Sequence, residues 1–267
     1  MCPYNLSVLD LIKILGLFAL LLTGEASAIN EYEFSEECLD SSLQIGANYT
    51  RATFKADSQP TFFGNLGGLQ GSYEYQPCNG FYGGLTLNWK QGKTKNSFAE
   101  RKLVYVDVQE RLGYTFDSCC KDKSITFFSG FGYRYLRHKL QQAEESSIKF
   151  HYHEFYVPVG LLSEYLFLCN WSIGLNFIWM PQIFPTVEIQ PLKGAHWDLQ
   201  NTLGNVLVEL PVTYFFSSRC YSLIFKPFYE RWEDGRSTAK TSSGEELGLP
   251  RNSYHFWGAT LSFSFLF

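Results

Sequence analysis

The five histidines of this chain are its side chains best suited to acid–base or metal chemistry, since imidazole titrates near neutral pH. All five fall toward one end of the predicted strands, where Glu154, Asp198 and Asp234 could lie at a similar height. Metal capture or pH-sensitive loop closure would need only proximity among them. Loosely spaced histidines fit a polar interface better, so we predict no catalytic residue, no metal and no cofactor. The histidines are His138, His151, His153, His196 and His255.

Of the 7 cysteines, all except Cys2 lie in the N-terminal tail or in short predicted turns at one end of the strands. An oxidising compartment favours disulfides between such thiols. Spacing alone leaves the connectivity open. Internal bonds that stiffen the turns are the favoured interpretation, and intermolecular cross-links are the alternative. A zinc site is disfavoured because no cysteine has Cys-x-x-Cys spacing or a nearby histidine. The disulfide candidates are Cys38, Cys78, Cys119, Cys120, Cys169 and Cys220.

Charged residues occupy the strand face opposite the apolar one, which predicts that they point into an enclosed lumen. Both signs are present, so these side chains could pair across it. A narrow charge-lined pore and a sealed salt-bridged core both fit this pattern. The number of charges exceeds what a sealed core requires and favours the pore by a small margin. The lumen-lining candidates are Glu74, Lys90, Asp107, Arg111, Arg134, Glu154, Glu209, Lys226 and Glu230.

Alternation with a period of two residues recurs along most of the chain and predicts half-buried β-strands. Trp171, Ile173 and Leu175 share one face of such a segment, and Ser172 lies on the other. Glu110 falls on an apolar face, which predicts a bulge or a different register there. Each segment is long enough to cross a membrane as a tilted strand. The segments lie near 42–55, 65–76, 81–90, 102–116, 124–137, 150–167, 171–179, 206–214, 221–232 and 253–267.

The links between these segments alternate in length, which favours an up-and-down barrel with short turns at one rim and long loops at the other. The first long-side link, near 56–60, is an exception. The short links are 76–80, 117–123, 168–170 and 217–220. The long links are 91–101, 140–147, 181–200 and 233–252.

The last strand ends on alternating apolar residues and a terminal phenylalanine. It resembles the C-terminal signal of bacterial outer-membrane β-barrels, which the barrel-assembly machinery reads. With the alternating links, this resemblance implies an all-β fold: one transmembrane antiparallel barrel of about ten strands. The segments Val157-Pro158-Val159 and Leu210-Pro211-Val212 look like a recurrent pattern of small barrels of this class and predict locally distorted pairing. The assembly-signal residues are Leu261, Phe263, Phe265 and Phe267.

The N-terminus has the pattern of an export signal. Lys13 precedes the apolar run 14–22, and Ala26-Ser27-Ala28 supplies a small-x-small cleavage site. We therefore predict a signal peptide at 1–28, an acidic periplasmic tail at 29–40 and a barrel at 41–267. Both termini of the mature chain would lie in the periplasm.

Composition agrees with a membrane barrel. Aromatic residues make up 18% of the chain, as expected for aromatic girdles, and a net charge of −4 gives no case for nucleic-acid binding. The predicted function is a non-enzymatic, narrow porin-like channel for small solutes. The alternatives are a structural or surface-display barrel and, less favoured, a rim protease. Omptin-type surface proteases are also ten-stranded, but the resemblance stops at strand count and histidine location.

Outer-membrane lipid and the barrel-assembly machinery are the expected partners. The cysteines also resemble those of disulfide-braced, cysteine-rich envelopes, which implies disulfide-linked envelope proteins as further partners.

Overall fold

A computed structural model describes residues 40–57, 60–117, 123–141, 147–168, 170–190, 196–216, 220–237 and 248–267. The predicted signal peptide and all of the predicted acidic tail except Asp40 lie outside these residues. The described secondary structure is β-strand throughout, and none of it is a helix long and apolar enough to cross a membrane.

Fourteen strands follow one another along the chain, and several of them are pieces of one longer strand. They are β1 (Ser41–Ala56), β2 (Phe62–Tyr75), β3 (Gly80–Lys95), β4 (Glu100–Asp117), β5 (Lys123–Gln141), β6 (Ser147–Tyr156), β7 (Val159–Leu168), β8 (Trp171–Trp179), β9 (Gln182–Gln190), β10 (His196–Asp198), β11 (Val206–Glu209), β12 (Val212–Phe215), β13 (Tyr221–Asp234) and β14 (Asn252–Leu266).

These strands form one antiparallel sheet that closes into a ten-stranded barrel. β9 pairs with β6 in the register that β8 keeps with β7, so β9 continues β8 beyond Trp179, and β10 pairs with β9. Closure comes from β1, which pairs with β14 from Ser42↔Leu266 to Ala56↔Asn252 without a register shift. Each of the ten predicted strand segments corresponds to a barrel strand. The all-β, ten-stranded prediction is therefore confirmed.

Two barrel strands are interrupted at proline, as their sequence predicts. Pro158 separates β6 from β7, and Pro211 separates β11 from β12. β5 pairs with β6 as far as Gly132↔Tyr156 and with β7 from Ser129↔Val159. Between these two pairs both strands advance by three residues, so the register is the same before and after Pro158. Proline lacks the N–H that the ladder needs, and the strand continues beyond it in the same register.

The outer wall has an apolar band with aromatic side chains at both margins. Tyr49 and Trp257 are exposed on the margin nearer the loops, and Phe81 and Tyr114 are exposed on the other. We name the barrel end that holds Ser41 and Phe267 the terminal end, and the opposite end the loop end. An apolar belt between aromatic girdles is typical of a barrel wall that faces lipid.

Some segments predicted as loops are strand. β3 runs to Lys95 and β4 begins at Glu100, so the predicted 91–101 loop is only a short turn. The predicted 181–200 loop contains β9 and β10. Polar and charged residues, such as Lys93 and Glu188, replace most of the apolar ones on the outward face of these segments, because a strand beyond a lipid-facing band no longer needs an apolar outer face. Its backbone ladder can nevertheless continue in water.

The expected irregularity at Glu110 is absent from the described ladder, and this expectation was wrong. β4 pairs with β5 continuously from Glu100↔Gln141 to Asp117↔Ser124, with Glu110 opposite Phe131. Glu110 is exposed on the outer face of the barrel. Neither a bulge nor a different register is needed, because the side chain simply stands on the apolar face.

The closing seam between β1 and β14 depends on Gly258. A Cβ atom there would lie 1.9 Å from the carbonyl oxygen of Tyr49, closer than any real contact. We expect Gly258→Val to reduce the fraction of compact, heat-modifiable barrel formed on refolding, because the backbones could no longer approach. The matched control is Gly67→Val on β2, where an added Cβ meets nothing within 4 Å. Equal refolding of the two variants in gel-mobility assays would contradict this account of the seam.

Candidate functional site

The first cluster inside the barrel is centred on the Lys90 ammonium. Lys90 Nζ lies 3.2 Å from Glu230 Oε2, and the hydroxyl of Tyr105 donates to Glu230 Oε1 at 2.7 Å. The same ammonium stands over the rings of Tyr105, Phe228 and Phe256 at 4.9, 4.7 and 5.6 Å. Lys90 is 1% exposed and Glu230 is 4% exposed. The cluster joins β3 to β13 across the lumen.

A second buried cluster surrounds the Arg134 guanidinium. Its Nε lies 2.5 Å from Glu154 Oε2, and a terminal nitrogen donates to Asp234 Oδ1 at 3.2 Å. The guanidinium packs 4.1 Å from the ring of Trp232. Arg134, Glu154, Asp234 and Trp232 are all 0% exposed. A pore-lining side chain would be reached by water, so this cluster is a packed core that spans the barrel.

Hydrogen bonds extend the packed region from Asp107. The Tyr156 hydroxyl donates to Asp107 Oδ2 at 2.7 Å and accepts from Gln109 Nε2 at 3.2 Å. Gln109 Oε1 in turn accepts from Arg111 Nε. Tyr156 is 0% exposed and packs edge-on against Trp232. The hydrogen bonds connect Asp107 to Arg111, and the ring contact between Tyr156 and Trp232 joins this network to the Arg134 cluster.

A cavity of about 350 Å³ opens at the terminal end of the lumen. It is lined by charged side chains that include Glu74, Arg111 and Glu164. On its wall, Lys226 Nζ lies 3.2 Å from Glu209 Oε1. Charged side chains of both signs therefore line a solvent-sized space in this part of the barrel interior.

The structure places all nine predicted lumen residues inside the barrel, but in four separate groups. Lys90 and Glu230 bind each other, and Arg134 binds Glu154. Asp107 belongs to the tyrosine network. Whether any of the nine lines a conducting path remains a prediction. The cavity at the terminal end holds Glu74, Arg111, Glu209 and Lys226.

Sequence reasoning missed several residues that complete these groups. Tyr105, Tyr156 and Trp232 were not among the candidates, and Asp234 was considered only as a rim residue. Strand parity was the signal that could have found the tyrosines: Tyr105 and Asp107 share one face of β4, as Glu154 and Tyr156 do on β6. Their contacts cross the lumen, which no local pattern encodes.

Comparison with known proteins rests on structure alone, since no family model and no curated protein matches the chain. The outer-membrane protease OmpT from Escherichia coli has a TM-score of 0.60 at 9% identity, covering 89% of this chain and 99% of that one. The chain has the fold of a bacterial outer-membrane β-barrel.

Other solved barrels give lower scores. The transport unit of the autotransporter AIDA-I from Escherichia coli has a TM-score of 0.49 at 12% identity, covering 94% of this chain and 97% of that one. The translocator domain of the autotransporter NalP from Neisseria meningitidis has a TM-score of 0.45 at 10% identity, covering 96% of each chain. At identities this low, the likeness extends to the fold alone.

The histidines whose side chains are described do not converge on the lumen of this barrel. Nδ1 of His151 lies 2.7 Å from the Tyr135 hydroxyl, and Nδ1 of His255 lies 2.8 Å from that of Tyr229. His153 forms the same kind of contact, and all three stand on the outer wall. Among the described residues, no three His, Cys, Asp or Glu side chains are placed to hold a metal. The structure does not describe the side chain of His196.

His138 is the exception, because it points inward at the loop end of β5. It is packed among the rings of Phe54, Tyr152 and Tyr254 at 5.3 to 5.5 Å. Burial, together with the nearby charges of Arg101 and Arg134, holds the pKa of His138 well below its usual value. This imidazole is therefore neutral and enclosed, which suits a core residue.

At the loop end, Glu233 organises a second cavity of about 730 Å³. Its carboxylate accepts hydrogen bonds from Arg231 and Arg251, and its backbone N–H donates to Asn205 Oδ1 at 2.8 Å. Burial acts to raise the pKa of Glu233, but the two arginines outweigh it and hold this pKa below its usual value. The Glu233 carboxylate is therefore ion-paired with Arg231 and Arg251.

The remaining predicted site residues lie at the terminal end. Cys78 is disulfide-bonded and Cys220 is a free, half-buried thiol. Cys38, Cys119, Cys120 and Cys169 lie outside the described residues, so the connectivity remains a prediction.

The terminal strand belongs to the closing seam. Phe267 exchanges backbone hydrogen bonds with Ser41 at 2.9 and 3.1 Å. Leu261, Phe263 and Phe265 point outward on β14. Recognition of this strand by an assembly machinery remains a prediction.

Arg134 is the residue on which the buried cluster depends. We expect Arg134→Met to lower the free energy of unfolding by about 3–5 kcal/mol, because it leaves two buried carboxylates without their counter-charge. The matched control is Lys93→Met, which breaks an exposed 2.8 Å ion pair with Glu100 and should cost less than about 1 kcal/mol. Urea unfolding of the refolded barrel measures both changes. Equal costs would contradict the structural role of Arg134.

Proposed function

We propose that this protein is an integral barrel of the bacterial outer membrane that does not conduct, and that it serves as a structural or surface-display barrel. The observation that carries this proposal is the packed layer across the lumen. Lys90, Arg134, Tyr156 and Trp232 are each at most 1% exposed, although they come from different sides of the barrel. A small barrel is wide enough only for its side chains to fill it.

The proposed location and orientation follow from the outer wall. An apolar band between two aromatic margins suits a lipid bilayer, and the longest link between strands, from Asp234 to Asn252, lies at the loop end. Periplasmic turns are the short ones in bacterial barrels. We therefore propose that both termini of the mature chain face the periplasm, after removal of a signal peptide near Ala28, and that the loop end faces the outside.

The second candidate is the narrow porin-like channel. The charged cavity at the terminal end favours it, because a path would need only to extend from that cavity through the packed layer. A rim protease receives less support. Among the histidines with described side chains, three contact tyrosines on the outer wall and His138 is buried among rings. We therefore propose a role without catalysis.

Planar-bilayer conductance separates the two candidates. We expect the wild-type barrel to be silent and the double variant Lys90→Ala/Glu230→Ala to show small current steps, since it removes a buried ion pair together with its bulk. The matched control is Lys93→Ala/Glu100→Ala, which removes the exposed ion pair at the loop end and should also be silent. Wild-type current steps that change with Glu230→Gln would contradict the sealed barrel and establish the channel. Heat-modifiable gel mobility verifies that each variant is folded.

We also propose that the cysteines other than Cys220, which is a free thiol, are oxidised in the native envelope, with disulfides inside the chain or to other envelope proteins. Cys78, Cys119, Cys120 and Cys169 lie in links that join strands at the proposed periplasmic end, and Cys38 precedes the start of β1 at the same end, where oxidation is favoured. Non-reducing electrophoresis of isolated membranes should show a compact monomer or a ladder that reductant dissolves. The Cys220→Ser variant is the matched control, and its pattern should equal that of wild type, because this thiol is free. Six reactive thiols in intact cells would contradict the proposal.

A further inference from the structure

Four lysines stand in one continuous row across neighbouring strands on the outer wall. The pairing is direct: Lys93 faces Lys102, Lys102 faces Lys139, and Lys139 faces Lys149. Adjacent strands are about 4.8 Å apart, so the row spans roughly 14 Å. We name these four residues the lysine row. Lys93 and Lys102 are exposed, and the other two are partly exposed.

The lysine row carries more positive charge than the protein neutralises. Glu100 pairs with Lys93 at 2.8 Å, but no carboxylate among the described residues pairs with Lys102, Lys139 or Lys149. Arg137, two residues from Lys139 on the same face of β5, is also exposed and adds a further cation. Like charges placed directly opposite each other destabilise a sheet. An external anion would remove this cost.

The position of the lysine row relative to the apolar band indicates what kind of anion would bind to it. On β3 the row lies four residues beyond Trp89, and on β5 it lies four residues beyond Tyr135. Both aromatic residues stand on the outer wall at the loop-end margin of the apolar band. A ligand there would contact lysines above and an apolar wall below, which matches a lipid with an anionic headgroup.

We propose that the lysine row binds the phosphate groups of a lipid in the outer leaflet, with the acyl chains against the apolar wall of β3 to β5. Ammonium groups bind phosphate as point charges with three donors each. A row of about 14 Å suits a headgroup that carries more than one phosphate. This inference rests on the proposed outer-membrane location. A soluble polyanion would not use the apolar wall beneath the row.

The test uses the full mature chain refolded in zwitterionic detergent, with a diphosphorylated glycolipid as the probe and native mass spectrometry as the readout. We expect saturable binding to wild type. The triple variant Lys102→Gln/Lys139→Gln/Lys149→Gln should require a lipid concentration about a hundredfold higher for half-saturation. Each cation near an anionic headgroup strengthens binding by a similar factor, and the variant removes three of them. The matched control, Lys55→Gln/Lys123→Gln/Arg236→Gln, removes three cations that lie outside the row and should bind as wild type does.

Three outcomes would overturn the proposal. One is unchanged binding by the row variant. Another is an equal loss in both triple variants, which would show a general charge effect. The third is full competition by inorganic phosphate or by a soluble sulfated oligosaccharide at concentrations similar to the lipid, which would identify a free anion as the ligand. Heat-modifiable mobility is read for every sample, so that a chain that fails to form a barrel is distinguished from a folded barrel without lipid preference.

Discussion

Closure of the sheet between β1 and β14 is the constraint on which the other features of this barrel depend. Hydrocarbon offers no hydrogen-bond partners, so every strand that crosses it needs a neighbour on both sides. The first and last strands of the chain supply that neighbour to each other over fifteen residue pairs, from Ser42↔Leu266 to Ala56↔Asn252. Phe267 and Ser41 complete the seam with two further backbone bonds. Once the sheet is closed, each strand has one face toward lipid and one toward the lumen.

The narrow interior follows from that closure and explains its charges. Side chains from opposite walls reach each other, so Lys90 meets Glu230 and Arg134 meets Asp234, although 140 and 100 residues separate them in sequence. A buried charge is tolerated only with a counter-charge and hydrogen bonds. Aromatic rings fill the space between the ion pairs. The same groups that would line a wide pore therefore form a packed core in a barrel of this size.

On the outer wall, the type of side chain changes with position along the barrel axis. Apolar side chains occupy a band between aromatic margins, and cations collect beyond its loop-end margin on β3 to β6. Glu110 is the exception within the band. Because a strand can keep its ladder in water, the wall extends past the band, and its charged residues are held in register by the backbone. The lysine row is a consequence of that extension.

The sequence by itself determined the number of strands and the face on which most residues lie. Side-chain direction alternates with every residue, so a local pattern such as Trp171, Ser172 and Ile173 specifies which face is apolar. The interruptions at Pro158 and Pro211 were predictable for an equally local reason, the missing N–H.

Only the tertiary structure decided which residues meet. The partner of Lys90 depends on the stagger at which ten strands close, which no single strand encodes. The sequence predicted that the histidines lie near the loop end, but it did not predict whether they face the lumen or the outside. Three of them contact tyrosines on the outer wall. The sequence pattern assigned Lys93 to a loop, because the outward residues of a strand are no longer apolar once the strand extends beyond the lipid-facing band. Its place beside Lys102 appears only when the strands pair, because contact across strands is set by register and not by proximity in sequence.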